Sequence, residues 1–271
     1  MTVYPNEQLL QSEDWPGLID THCHLDQEPL ISRLAEVLSA AHLAGVTHIV
    51  VPGVHPDGWG RMVFLAREYE CIFPAFGIHP MYAGHADDGT LSRLAELSSL
   101  GVAIGEIGLD TSYAVSMECQ ERAFRNQLGI AVSLGLPVLI HCRRAFQQTL
   151  RILQQENARQ VGGIMHAFSG SPEMAREFIR LGFAISISGM VTRDNSVRLP
   201  RLVRELPLEF MVLETDAPDL PPQRYRGQPN QPAYLTETLH AVARLKGIKA
   251  IEAACSFRAR SLSALPRMNV S

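Results

Sequence analysis

The chain has 271 residues, enough for one large domain or two ordinary ones, and a single α/β barrel commonly fills this length. Its 46% hydrophobic and 19% charged content suits a globular protein with an ample buried core. A net charge of −4 excludes any broad electrostatic pull toward nucleic acid or anionic membranes, so a polyanionic ligand needs local attraction from metal ions or clustered arginines.

Residues 1–17, "MTVYPNEQLLQSEDWPG", carry acidic charge and no long apolar core, and read as an N-terminal extension rather than a signal peptide. The first apolar run, "LIDTHCH" (18–24), ends in His22 and His24. Period-2 spacing turns both toward one side of a strand and Cys23 away. In a chain with 10 His such a pair is weak evidence by itself. Further short, β-branched runs follow in order: "HIVVPGV" (48–54), "IFPAFGIH" (72–79), "VAIGEIG" (102–108), "VLIHC" (138–142), "GGIMHAF" (162–168), "FAISIS" (183–188) and "FMVLETD" (210–216). Amphipathic segments such as 30–43 and 117–134 lie between them, several stopped by Gly, as at Gly45, Gly135 and Gly182.

Eight strand-helix units in regular alternation predict parallel strands closed into a (β/α)8 TIM barrel. A doubly wound sheet would usually show a Gly-rich first turn, and none opens the segment after "LIDTHCH". No linker divides the series, so one domain is expected over 1–271, with its core over about 18–265. No run of about 18 apolar residues appears, and no membrane span is expected. The five cysteines are widely spaced with no C-x-x-C, which points to reduced thiols and a cytoplasmic protein.

The strand ends carry the chemistry: His22 and His24 on the first, His79 on the third, Glu106 on the fourth, His141 on the fifth, His166 on the sixth and Asp216 on the eighth. C-terminal strand ends form the rim where barrel enzymes hold their active sites. Imidazoles and carboxylates without thiolates suit Zn²⁺, Mn²⁺ or a similar ion. Four His and two acids exceed what one tetrahedral ion needs and fit two divalent ions. In this arrangement Glu106 bridges, His22, His24 and Asp216 hold one ion, and His141 and His166 hold the other. A bridging hydroxide attacks the electrophile, with Glu106 and Asp216 as the catalytic carboxylates and Asp216 as proton acceptor.

His79 in "GIHP" is read as a substrate contact, with metal ligation as the alternative. Asp110 either orients a ligand or caps a loop. Arg143 and Arg144, expected at the start of a helix, suit a phosphate or carboxylate. "RYRGQPNQP" (224–232) adds Arg226 and Asn230 as substrate contacts in a stiffened loop over the rim. His42, His48, His55, His85 and His240 fall outside the pattern and read as ordinary.

The strings "IDTHCHLD", "GIHP", "GEIGLD", "IHCRRA", "HAFSG" and "ETDAP", with the "RGQPNQP" loop, resemble the TatD family of metal-dependent hydrolases, in wording closest to its YjjV-like branch. The resemblance runs over most of 18–232. It implies an amidohydrolase-type barrel with one or two divalent ions, zinc, magnesium or manganese, on His22, His24, Glu106, His141, His166 and Asp216. It also implies deoxyribonuclease activity, often 3′→5′ on single strands. Departures from the family wording fall at Gln147, Gln148, Ala167, Gln228, Gln231 and the "FRARSLSALP" ending, and the usual aromatic is displaced to Tyr113.

The leading expectation is therefore a nuclease acting on DNA or oligonucleotides, with no membrane and no obligate protein partner. Hydrolysis of a carboxylic ester, amide or aminoacyl bond is the alternative. A non-enzymatic metal-binding partner protein is the third reading, disfavoured because structural sites seldom draw ligands from five strands at a functional rim.

Overall fold

The computed structural model describes residues 16–268. Residues 1–15 of the N-terminal extension lie outside the described residues. Eight strands run in order: β1 (Leu18–Asp20), β2 (Val46–Pro52), β3 (Ile72–Phe76), β4 (Ala103–Asp110), β5 (Val138–Arg143), β6 (Gly163–Met165), β7 (Phe183–Ile187) and β8 (Met211–Leu213). Each pairs in parallel with the next in a single sheet. Parallel neighbours require long crossovers. These are supplied by α1 (Leu34–Leu43), α2 (Trp59–Glu68), α3 (Asp88–Leu97), α4 (Met117–Leu134), α5 (Phe146–Gln155), α6 (Pro172–Arg180) and α7 (Arg198–Glu205). Two further helices, α8 (Leu235–Lys246) and α9 (Ala250–Ala264), follow β8. The architecture is the expected (β/α)8 barrel. Among the described residues no helix is long and apolar enough to cross a membrane.

Side-chain alternation sorts the core into two shells. Ile19, Val50, Ala75, Ala103, Leu139, Ile164, Ala184 and Val212, one from each strand, fill the barrel interior, and Ala264, Leu265 and Met268 pack with them. Their neighbours in sequence, such as Ile49, Val51, Val138 and Ile140, face outward into the shell shared with the helices. The longest of these helices, α4, has the bounds its periodicity predicts. Ser116 caps its start by accepting the Cys119 N–H (3.3 Å), and Gly135 ends it at φ 64°, a left-handed turn that glycine adopts without steric cost.

Several strands stop earlier than their apolar runs suggest, among them β1 at Asp20, β6 at Met165 and β8 at Leu213. Beyond those points the backbone closes the barrel instead of extending its ladders. The Thr21 N–H donates to Leu213 O (3.1 Å), the His24 N–H to Ala217 O (2.8 Å) and the Asp216 N–H to His22 O (2.9 Å). This seam joins the first strand to the last and brings His22 and His24 against Asp216, nearly 200 residues apart in sequence.

Candidate metal centre

Glu106 reaches the barrel mouth through an irregularity. Strict alternation from inward Ala103 would turn it outward with Ile104, but the register between β4 and β5 shifts between Ile104 and Ile107. The Glu106 N–H instead donates across the mouth to Gly53 O (3.0 Å), and the Gly53 N–H to Gly105 O (3.0 Å). Gly77 and Gly105 permit that approach. A Cβ on Gly77 would stand 2.5 Å from the Gly105 carbonyl carbon, and one on Gly105 would stand 2.5 Å from Leu139 Cβ.

Five imidazoles converge on the buried Glu106 carboxylate. His22 Nε2 lies 3.2 Å and His24 Nε2 3.8 Å from Oε2, while His141 Nδ1 lies 2.7 Å, and His79 and His166 Nε2 each 3.7 Å, from Oε1. Asp216 Oδ1 stands opposite, 3.8 Å from His22 Nε2 and 3.6 Å from both His24 and His166 Nε2. Acids behind the ring set its orientation. His166 Nδ1 meets Glu214 Oε2 at 3.0 Å, and His141 Nε2 meets Asp110 Oδ2 at 2.8 Å. Each therefore donates its rear N–H to a carboxylate and turns its other nitrogen toward the centre. His79 is wired differently. Its Nδ1 accepts the Met81 N–H (3.2 Å), so the neutral ring carries its proton on Nε2, the atom facing Glu106.

The charge states follow from these neighbours. Burial opposes charging His166, yet Glu214, Asp216 and Glu106 outweigh it and lift its pKa to about 10. Burial likewise opposes His141, whose bonds to Asp110 and Glu106 lift it to about 9. Burial pushes His79 down to about 4 against the pull of Glu106. Glu106 is held well below the carboxylate range because His22, His166 and His79 overcome its burial. For Asp20, burial dominates over its bonds to Thr215 and raises the pKa to about 7.

A divalent ion fits this set. Both ring nitrogens of His22 are buried without a hydrogen-bond partner, as is Nδ1 of His24. A buried polar atom left unpaired costs free energy that a cation can relieve. Ligand atoms come within 4.8 Å of one another in three overlapping groups: His22–His24–Glu106, His22–His166–Asp216 and His79–Glu106–His141. The grouping differs from the sequence expectation in one respect. His166 stacks on His22 at 3.5 Å between centroids and sides with Asp216, while His141 sides with His79.

The sequence model of the family described as TatD related DNase matches residues 19–261. The chain belongs to the TatD family. It is 39% identical over 232 residues to the metal-dependent hydrolase YabD of Bacillus subtilis (strain 168), covering 84% of this chain and 91% of that protein. With the metal-dependent hydrolase YjjV of Escherichia coli (strain K12) it shares 33% over 233 residues, 84% and 90% of the two chains. The human deoxyribonuclease TATDN3 is 32% identical over 255 residues, 87% and 90% of the two. The crystal structure of E. coli K12 YjjV, a TatD homolog, superposes with a TM-score of 0.87 at 31% identity, covering 92% of this chain and 98% of that one. The protein is a TatD-family metal-dependent hydrolase.

Within this TatD chain, His22, His24, Glu106, His141, His166 and Asp216 all meet at one mouth, with His79 beside them. The expected substrate contacts divide. Arg143 is exposed, but as the last residue of β5 and not in a helix start, because Arg144 takes a left-handed conformation (φ 56°) and α5 begins only at Phe146. Arg226 is exposed after the 3-10 turn Gln223–Tyr225. Asn230, expected in contact with substrate, is fully buried. Its Nδ2 donates to Thr215 O and Asp219 O (2.8 Å each), and its N–H donates to Pro218 O (2.9 Å). It clamps the loop that holds Asp216 in a left-handed conformation (φ 58°). Gln148 likewise faces α4, where its amide donates to Glu121.

Sequence reasoning missed Asp20, Glu214, Gln120 and Gln127. Asp20 accepts from the Thr215 hydroxyl (2.5 Å) and N–H (2.9 Å), joining the two strands of the seam. The signal was present: an acid inside an apolar strand run demands a buried partner. The two glutamines lie seven residues apart on the apolar face of α4, also a legible anomaly. Gln120 brackets the backbone of Asp110, accepting its N–H (2.9 Å) and donating to its carbonyl (3.0 Å). Gln127 does the same to Ile78, next to His79 (2.7 and 3.1 Å). Tyr113 also reaches the mouth, 5.5 Å from the His79 ring.

Proposed function

We propose that this hydrolase cleaves DNA phosphodiester bonds, 3′→5′ from the ends of single strands, at a mouth where Glu106 would help to hold two divalent ions. One observation carries the reading: three ligand groups overlap on a single mouth and two of them share the Glu106 carboxylate. The description of the family as DNase-related and the relationship to human TATDN3 support the phosphodiester as the bond. The ions, zinc, magnesium or manganese, would supply positive charge against the phosphate oxygens and acidify water to a nucleophile near neutral pH.

The chain's own groups do the rest. His22, His24, Glu106, His141, His166 and Asp216 would hold the ions. Asp216 is the proton acceptor, since its side chain keeps 15% exposure while that of Glu106 keeps 3%, and its Oδ1 alone is turned to the histidines. His79 donates Nε2–H to a phosphoryl oxygen. Arg143 and Arg226 position the nucleic-acid backbone, and Asn230 acts through the Asp216 loop. The five unpaired cysteines support a cytoplasmic setting.

The test strips the protein with chelator and restores Mg²⁺, Mn²⁺ or Zn²⁺ separately. End-labelled single-stranded DNA and an acyl ester are then offered to wild type and Glu106→Ala. Metal-restored laddering from the 3′ end, absent in Glu106→Ala, is the expected result. Intact DNA with metal-dependent ester turnover would overturn the nuclease reading in favour of an acyl hydrolase.

A further inference from the structure

We propose a second, peripheral transition-metal site on the same rim, formed by His55 and His85 and suited to Zn²⁺ or a similar nitrogen-preferring ion. His55 precedes the 3-10 turn Pro56–Gly58 after β2, and His85 ends the 3-10 segment Pro80–His85 after β3. Neither belongs to the ligand groups around Glu106.

The two Nε2 atoms face each other at 3.4 Å. That is long for an N–H···N hydrogen bond, since ring N–H donors usually sit about 2.7–3.2 Å from their acceptors. It is the separation expected of two imidazoles on one tetrahedral ion. Two Zn–N bonds of about 2.0–2.1 Å at a tetrahedral angle put their nitrogens about 3.3–3.4 Å apart. The rings meet edge to face without stacking, 4.5 Å between centroids at 71°.

The pair is also held in place. Tyr82 packs against the face or edge of His55 at 4.6 Å, in a T-shaped contact. On the other side, His55 Nδ1 lies 3.2 Å from the Asp57 N–H and 3.5 Å from Asp57 Oδ2. With an ion on Nε2, Nδ1 becomes a donor. It gives up the weak bond from the Asp57 N–H and donates to the Asp57 carboxylate, the usual backing of a metal-bound histidine. With two protein ligands, the remaining positions fall to water. The site should therefore fill after the centre, and Mg²⁺, which prefers oxygen, should not fill it. The proposal is independent of the substrate.

Equilibrium dialysis against rising free Zn²⁺ tests it on the full chain, comparing wild type with His55→Ala and His85→Ala. Wild type should bind one zinc per chain more than either variant, with melting temperature and Mg²⁺-supported hydrolysis unchanged in both. Equal zinc in all three proteins would overturn the site. An NMR measurement on wild type guards against misfolded variants. The Nε2 resonances of His55 and His85 should move together on adding Zn²⁺ and stay fixed with Mg²⁺, and no movement with Zn²⁺ would also overturn it.

Discussion

Glu106 lies within 3.8 Å of five histidine rings, more than the three that Asp216 faces. Replacing it with Gln keeps the shape and removes the charge. Metal-dependent hydrolysis should then fall by more than about a hundredfold, beyond the 10–100-fold usual for groups behind a ligand. Glu214 is such a group, since it receives the His166 Nδ1–H and the Ala167 N–H (2.7 Å). Glu214→Gln should weaken metal affinity by about 10- to 100-fold, read by competition with a chelating dye. Asn230→Ala leaves the Thr215 and Asp219 carbonyls unpaired inside the protein and should cost about 2–3 kcal/mol in urea unfolding. At this scale the residues that gather at the mouth were legible and their supports were not. His and acid types at strand ends announce metal chemistry, whereas Asn230 looks like an exposed loop residue until the loop is seen folded over Asp216.

α4 shows what an element contributes beyond its own stability. Its periodicity and its Gly135 stop were readable, and its boundaries matched. What it does was not, because Gln120 and Gln127 bond to the backbone of Asp110 and Ile78, 10 and 49 residues before them in the chain. Gln127→Met keeps the volume but strips two hydrogen bonds from Ile78. We expect a loss of about 2 kcal/mol in stability and a fall in kcat with metal content unchanged, as His79 loses its setting. Measuring bound metal beside kcat separates this from a general loss of fold. β4 teaches the same lesson from the strand side. Alternation alone turns Glu106 outward, and only the register shift with the close approach of Gly77 and Gly105 brings it in.

For the whole molecule, the barrel interior and the seam decide stability and activity together. Leu139 is the inward residue of β5 and is fully buried, so Leu139→Ala should cost about 2–5 kcal/mol. Val197 is 78% exposed, and Val197→Ser should stay within about 0.5 kcal/mol in the same denaturation experiment. Chelation should lower the melting temperature by about 5–10 °C, because ions present at about a hundred times their Kd stabilise the folded state by about 2.7 kcal/mol. The sequence by itself determined the eight strands, the barrel, the His and acid residues that gather at the mouth and the family, because alternation, helix stops and strand-end residue types are local properties of the chain. Only the tertiary structure decided which histidine sides with which acid, that Asn230 is buried, and that His55 meets His85. Those facts depend on side-chain directions after the seam closes and the register shifts, where residues far apart in the chain become neighbours and local periodicity no longer governs.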